Sequence, residues 1–363
     1  MTAFPLLLTG CLSEKKYPDA MTVGIAMPTK AIERFSRDGN FLKSEFEAAG
    51  YNVELRFSNS DSYQQNNDVE CLMADGVDLL IILPEDGVTL SQTLKTAAEF
   101  GIPVISYDRL IMNTDAVDCY VSFDNYKVGE LQGRFVIDEL GLEDTERFFN
   151  IEFLAGDPAD NNAIFFFNGA YDTLKPYIES GRLKIPSGKT TFEQCATDGW
   201  STETAFRNMQ NLLASYYSSG EQLDAVVCSA DALTIGAVQA IESDYAGDNL
   251  PVTTGQDGSI VSLKNIVDGK QTMTVYKNVS DEALVTLEVA KAILSGAEIG
   301  EEMQALFSKD VSFDDHSYNN GNKNVDSFLL EPYIITKDNI GLLADTGVYE
   351  WDEAHKYLKE AQF

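Results

Sequence analysis

Asp108 and Arg109 stand together at the end of a short apolar run, Val104-Ile-Ser-Tyr107, which follows Gly101-Ile-Pro103. A carboxylate only accepts hydrogen bonds and a guanidinium only donates them. The pair therefore suits a small neutral ligand rich in hydroxyls, each of which does both. The plainer alternative is a surface ion pair closing a strand, worth little energy. Polar side chains recur at comparable positions along the chain: Arg34 after Thr22–Met27, Asp160-Asn161-Asn162 after Phe149–Leu154, and Trp200 after Asp198-Gly199. Asp231 follows Ala225–Cys228, Asp257 ends Thr254-Gly-Gln-Asp257, and Lys277 ends Thr274-Val-Tyr-Lys277. With Phe35, the set combines cationic heads, carboxylates, amides and aromatic rings. Charged groups pair with adjacent hydroxyls while ring faces cover the C–H side of a pyranose. Each member also has a structural reading: Asp231 and Asn161 as helix caps, Phe35 as core.

Other chemistries are poorly supplied. No GxGxxG or GxxxxGK[ST] loop follows a strand-like run, so no nucleotide cofactor is expected, and no GxSxG or HExxH motif occurs. The two histidines, His316 and His355, both lie late in the chain, which supports neither a metal site nor His-based catalysis. A glycosidase needs two opposed carboxylates, for which Asp108 and Asp257 are the nearest candidates, and their separation is not readable from sequence. We expect a binding protein without catalysis.

These residues need a scaffold, and the hydrophobic pattern supplies one. Strand-like runs at Thr22–Met27, Asn52–Phe57, Asp78–Leu83, Val104–Tyr107 and Cys119–Phe123 alternate with helical stretches near 36–49, 62–75 and 88–100. The helices close on Gly50, Gly76 and Gly101, as left-handed C-terminal turns require. A second series of strands follows at 149–154, 183–185, 225–228, 252–254 and 272–276, with helices near 161–178, 201–217, 231–243, 258–268 and 280–295. Alternation of this kind implies parallel, doubly wound α/β sheets, and 363 residues suit two lobes. The Asp/Asn/Ser-rich stretch 308–327 has no apolar periodicity and is expected to be a surface excursion, after which Phe328–Ile335 returns to strand.

The chain carries 26 Lys+Arg against 58 Asp+Glu, a net charge of −32 spread along its length, which argues against nucleic acid as a partner. Of five cysteines, Cys71 and Cys228 fall in apolar stretches and are expected in the core. The N-terminal Leu8-Thr-Gly-Cys11, followed by Ser13-Glu-Lys-Lys16, reads as a lipobox with Cys11 as the lipidated residue, although the preceding run lacks basic residues. Residues 1–20 would then be a signal remnant and tether.

Several runs together resemble the xylose-binding and multiple-monosaccharide-binding proteins of bacterial ABC importers: Asp108-Arg109, Phe123-Asp-Asn125 with Val128-Gly-Glu-Leu-Gln132, and Gly156-Asp-Pro-Ala-Asp-Asn-Asn-Ala163. Asp198-Gly-Trp200, Ser229-Ala-Asp231, Thr254–Asp257 and Gln271-Thr-Met-Thr-Val-Tyr-Lys277 complete the likeness, which covers about residues 23–295. The resemblance implies a type I periplasmic-binding-protein fold, two Rossmann-like doubly wound parallel-sheet lobes joined by a multi-crossover hinge and closing on a monosaccharide. The implied lobes are 21–126 plus 279–325 and 127–278 plus 326–363, hinging near 124–128, 278–280 and 325–328. The implied sugar-binding residues are Arg34, Asp108, Arg109, Asp160, Asn162, Asp231, Asp257 and Lys277, with Phe35 and Trp200 as aromatic walls. Phe35 stands where the xylose binders have Trp, and Ala230 where they have Asn; a lost buried donor costs roughly 1–3 kcal/mol unless replaced. The expected ligand is an aldopyranose, xylose first and glucose or arabinose next. The expected partner is an ABC permease, with the protein monomeric and lipid-anchored on the outer face of the membrane. A sugar-sensing subunit read by a membrane receptor kinase is the alternative.

Overall fold

The computed structural model describes residues 19–354 and 356–361, so Cys11 and its lipobox lie outside the described residues. The first sheet is built from β1 (Thr22–Met27), β2 (Asn52–Phe57), β3 (Leu79–Ile82), β4 (Val104–Tyr107) and β5 (Cys119–Phe123). Between them run α1 (Glu33–Ala48), α2 (Ser62–Ala74) and α3 (Ser91–Phe100). Gly50, Gly76 and Gly101 all adopt positive φ, as the helix ends require.

The second series comprises α4 (Asn125–Glu139), β6 (Phe149–Leu154), α5 (Asn161–Glu179), β7 (Leu183–Lys184), α6 (Phe192–Cys195), α7 (Thr202–Tyr216) and β8 (Ala225–Cys228). It continues through α8 (Asp231–Asp244), β9 (Val252–Thr253), α9 (Ile260–Val267) and β10 (Met273–Tyr276). The chain ends with α10 (Val279–Leu294), β11 (Val311–Asp314), β12 (Ser327–Leu330), β13 (Tyr333–Thr336), β14 (Tyr349–Trp351) and β15 (Leu358–Glu360). The strands expected from sequence are present. Helices α4 and α6 and the C-terminal β14–β15 hairpin add to them.

The first sheet has the order β11-β12-β5-β4-β3-β1-β2, all neighbours parallel except β11 and β12. Side chains alternate between its faces. Leu79 and Ile81 of β3 join a core with Leu42 and Phe46 of α1 and Val285 and Val289 of α10. Leu80 and Ile82 join Leu72 of α2 and Leu94 of α3 on the other face. The second sheet, β7-β6-β8-β9, is parallel throughout. It continues through a single Gln256–Val275 bridge to β10, which pairs antiparallel with β13. Both sheets are doubly wound, as the alternation predicts.

The chain passes between the two sheets after β5, after β10 and after β12. The third passage differs from expectation. Phe328–Ile335 is not one strand: Ser327–Leu330 pairs with β5, with Phe328 opposite Val121, and so belongs to the first sheet. The chain leaves at Glu331-Pro332, where proline has no N–H to give the ladder. A boundary at residue 326 is therefore displaced to beyond Leu330. The 308–327 stretch is also more than a surface excursion. It contributes edge strand β11 and buries Tyr318 and Asn320, whose Nδ2 donates to the Thr114 carbonyl at 2.7 Å. An edge strand with one solvated face needs no long apolar run. Cys71 is exposed on α2 and not in the core, whereas Cys119, Cys195 and Cys228 are buried.

Candidate functional site

Asp108 follows the last residue of β4 and turns the chain with φ 57°, a left-handed conformation that costs a non-glycine residue on the order of 1–3 kcal/mol. Three donors converge on its carbonyl oxygen: Tyr120 Oη at 2.5 Å, Ser122 Oγ at 2.8 Å and Asn162 Nδ2 at 2.7 Å. Trp200 (φ 52°) and Asp257 (φ 100°) share this backbone class, and all three line one cavity between the lobes. The other non-glycine residues with positive φ among the described residues, Asn59, Ser60 and Asn113, lie outside the cavity lining; backbone strain held in a cavity lining points to function there.

The cavity, about 270 Å³, is lined by Arg34, Phe35, Asp108 and Arg109 from the first lobe and Asp160, Asn162, Phe166, Trp200, Gln256 and Asp257 from the second, with Lys277 at the crossover. Its volume lies below the roughly 300–1,000 Å³ of pockets for drug-sized ligands and suits one small ring. A larger groove of about 500 Å³ follows the outer side of α1 against β15. Its buried charge, Arg37, is already paired with Glu33 at 2.9 Å and Glu360 at 3.4 Å, so the interlobe cavity is the candidate site.

Arg34, on the first turn of α1, organises the charges. Its Nη2 donates to Asp108 Oδ1 at 2.6 Å and lies 3.4 Å from Glu282 Oε2; Nη1 lies 3.4 Å from Asp257 Oδ1, and Nε 3.6 Å from Asp38 Oδ2. Lys277 Nζ adds a contact to Asp108 at 3.4 Å. Burial alone would raise the Asp108 carboxyl, but Arg34, Lys277 and Arg109 outweigh it and hold the group below its ordinary range. Asp108 is thus an anion aimed at the cavity, the form that accepts two hydroxyl donors.

Arg109 faces the second lobe. Its Nε lies 3.0 Å from Asp160 Oδ2, its Nη1 donates to the Glu85 carbonyl at 3.1 Å, and its guanidinium sits 5.2 Å from the Phe35 ring centroid. Phe35 is both core and wall, 5% exposed, so its two readings from sequence are one. Asp160 caps α5 through the Asn162 N–H at 2.9 Å, leaving its other oxygen for Arg109, and Asn161 is simply the first helical residue. Asn162 lines the cavity with its Nδ2 donating to the Asp108 carbonyl and its Oδ1 3.1 Å from Tyr120 Oη, whose single proton goes to the Asp108 carbonyl. It ties the lobes together at the floor of the site.

Asp231 departs from its expected place. It lies outside the cavity lining, fully buried, with Oδ2 accepting from the Ser259 N–H at 2.8 Å and Oδ1 from Gln271 Nε2 at 3.0 Å. Burial, with the Asp257 charge adding, pushes its carboxyl up to about 7. Asp160 precedes its helix as the cap, whereas Asp231 is the first helical residue of α8. A helix turns about 100° per residue, and that one-residue offset aims the carboxylate at the turn carrying Asp257. Tyr349 holds the same turn by donating to the Gly258 carbonyl at 2.7 Å.

Phe166 was not anticipated. It lines the cavity, with Lys277 Nζ 5.4 Å from its ring centroid. Its spacing of four from Asn162 places both on one face of α5, a signal available in the sequence. Trp200 rests its six-membered ring on Gly156, where any Cβ would lie 2.0 Å from the ring.

Residues 23–298 match the periplasmic binding protein domain. This chain belongs to that family. Among relatives, the multiple sugar-binding periplasmic receptor ChvE of Rhizobium radiobacter is 41% identical over 339 residues, 92% of each chain. The D-xylose-binding periplasmic protein of Escherichia coli is 34% identical, again over 92% of each. A solved ABC transporter solute-binding protein from Clostridium phytofermentans, holding β-D-glucose, superposes with a TM-score of 0.84 at 41% identity over 92% of this chain and 99% of that one. Membership makes this periplasmic binding protein an extracytoplasmic sugar-binding component of an ABC importer and not an enzyme. No helix among the described residues is long and apolar enough to cross a membrane.

Proposed function

We propose that this protein binds one aldopyranose between its lobes, glucose as well as xylose, and presents it to an ABC permease. The observation that carries the reading is the cavity lining itself, where Arg34, Asp108 and Arg109 on one side oppose Asp160, Asp257 and Trp200 on the other. Paired carboxylate and guanidinium groups grip adjacent hydroxyls, and the indole and Phe166 cover the C–H face. Gly199, Ala230 and Ala232 also line the cavity, and these small residues leave room for a hexose hydroxymethyl group that a pentose lacks. The glucose-bound relative at 41% identity supports that breadth.

Ligand that touches both lobes favours the closed form, and periplasmic binding proteins are a standard case of hinge closure. We place the hinge at the three passages, near 124–128, 278–280 and 331–332. Attachment through a lipidated Cys11 and a monomeric state complete the proposal; radiolabelled palmitate should be incorporated by the wild type and not by Cys11→Ser, and light scattering should return one chain's mass. Calorimetry against glucose, xylose and arabinose tests the central claim, with small-angle scattering to follow compaction. Failure to bind any pentose or hexose would refute it.

A further inference from the structure

Glu282, on the first turn of α10, lies beneath the cavity, outside its lining and fully buried. Arg34 Nη2 reaches its Oε2 at 3.4 Å while making the 2.6 Å contact to Asp108. The cation that contacts Glu282 is Arg34, which is shared with Asp38, Asp108 and Asp257; Lys277 contacts Asp108 and Asp257, Arg109 also favours the Asp108 anion, and Arg37 favours that of Asp38. Asp257 is 28% exposed and can be hydrated, and Asp38 accepts from Tyr107 Oη at 3.0 Å. Glu282 Oε1 is buried with no hydrogen-bond partner in the protein, a costly setting for an anion.

We propose that Glu282 is a positioning residue of the sugar site, that it stands in the Arg34 network as an un-ionised carboxylic acid, and that sugar affinity falls as it gives up its proton. The affinity clause rests on the sugar-binding reading above. Ionised, Glu282 would compete with Asp108 for Arg34 Nη2 and draw the guanidinium away from the cavity. The groups facing it agree: Arg34 and Asp38 from α1, Tyr107 and Asp108 at the end of β4, and Lys277 after β10. Burial raises the Glu282 carboxyl well above its ordinary value, the Asp108 charge adds to this and Arg34 opposes it, while Asp38 is pushed up only to about 6.

The test compares wild type with Glu282→Gln, which keeps the shape and an acceptor for Arg34 but cannot ionise. Thermal midpoints without sugar and dissociation constants for glucose and xylose are measured from about pH 5 to about pH 9. The wild-type midpoint should fall more steeply with rising pH than the variant's, leaving the variant more stable at the alkaline end. Wild-type affinity should weaken by up to about tenfold per pH unit above the titration, and the variant's should not. A variant destabilised equally at every pH, or one that does not fold, would make Glu282 an anionic partner of Arg34 and overturn the proposal. Asp38→Asn should keep the wild-type alkaline slope; loss of the slope there and not in Glu282→Gln would move the proton to Asp38 and equally overturn it. If the midpoints behave as expected but wild type binds no sugar, the functional reading and the affinity clause fall and the proton assignment stands.

Discussion

Arg109 Nε lies 3.0 Å from Asp160 Oδ2, a buried ion pair that spans the two lobes and forms one wall of the cavity. Both groups are fixed by their own lobes, Arg109 through the Glu85 carbonyl and Asp160 through the cap of α5. The pair therefore reports closure as well as contact.

Arg109→Ala should abolish most sugar binding while leaving the fold intact. Truncating one partner of a buried charged pair costs about 2–5 kcal/mol, or roughly 30-fold to several thousand-fold in affinity. Calorimetry with glucose, alongside circular dichroism, checks this; near wild-type affinity would mean that the cavity has been assigned wrongly.

Asp231→Asn separates support from contact. The native carboxyl is pushed up to about 7 against an ordinary 3.8, so its contribution to stability is full below the ordinary value and is lost as pH rises through about 7. That shift corresponds to on the order of 4 kcal/mol. We expect the wild-type midpoint to fall between about pH 5 and about pH 8 and Asp231→Asn to flatten part of that fall. Sugar affinity near neutrality should change by less than about fivefold, since the residue stands outside the cavity lining. A loss of a hundredfold would return Asp231 to the sugar.

Gly156→Val should displace the Trp200 ring, because even a Cβ there lies 2.0 Å from it. Affinity should drop at least about tenfold, equivalent to 1.4 kcal/mol, with a shift in tryptophan fluorescence and little change in far-ultraviolet circular dichroism. Unaltered fluorescence and affinity would show that the indole is not a wall of the site.

Thiol labelling tests the cysteine placements. Cys195 and Cys228 are buried, and burial pushes each thiol up to about 12; Cys119 is raised further, also by burial. Cys71 is exposed. In a Cys11→Ser background the native protein should release one equivalent of thionitrobenzoate rapidly, and Cys71→Ser should remove it. Rapid labelling of a second thiol would contradict the packing of the sheets.

The α/β class, the strands and the polar residues at their ends were legible in the sequence because each is a local signal. Period-two and period-3.6 patterns, glycines closing helices, and residue types at strand ends are properties of short windows. Strand-end position singled out Arg34, Asp108, Arg109, Asp160, Asn162, Asp257 and Lys277, which meet at the cavity, but equally Asn161 and Asp231, which do not line it. Phe166 could have been found by the same logic, one helical turn beyond Asn162.

Tertiary structure decided where those side chains point and what they already hold. Asp160 and Asp231 occupy similar places in sequence, yet a one-residue shift in helix start sends one to the cavity and the other to the Ser259 turn. The last passage between lobes is set by Phe328 pairing with Val121, a contact between distant segments that no local pattern announces. Likewise the four carboxylates around Arg34 come from α1, the end of β4, the turn before α9 and the start of α10. Sequence supplied their identities. Only the fold brought them within 3.6 Å of one guanidinium, where their charges compete and a proton on Glu282 becomes part of the site.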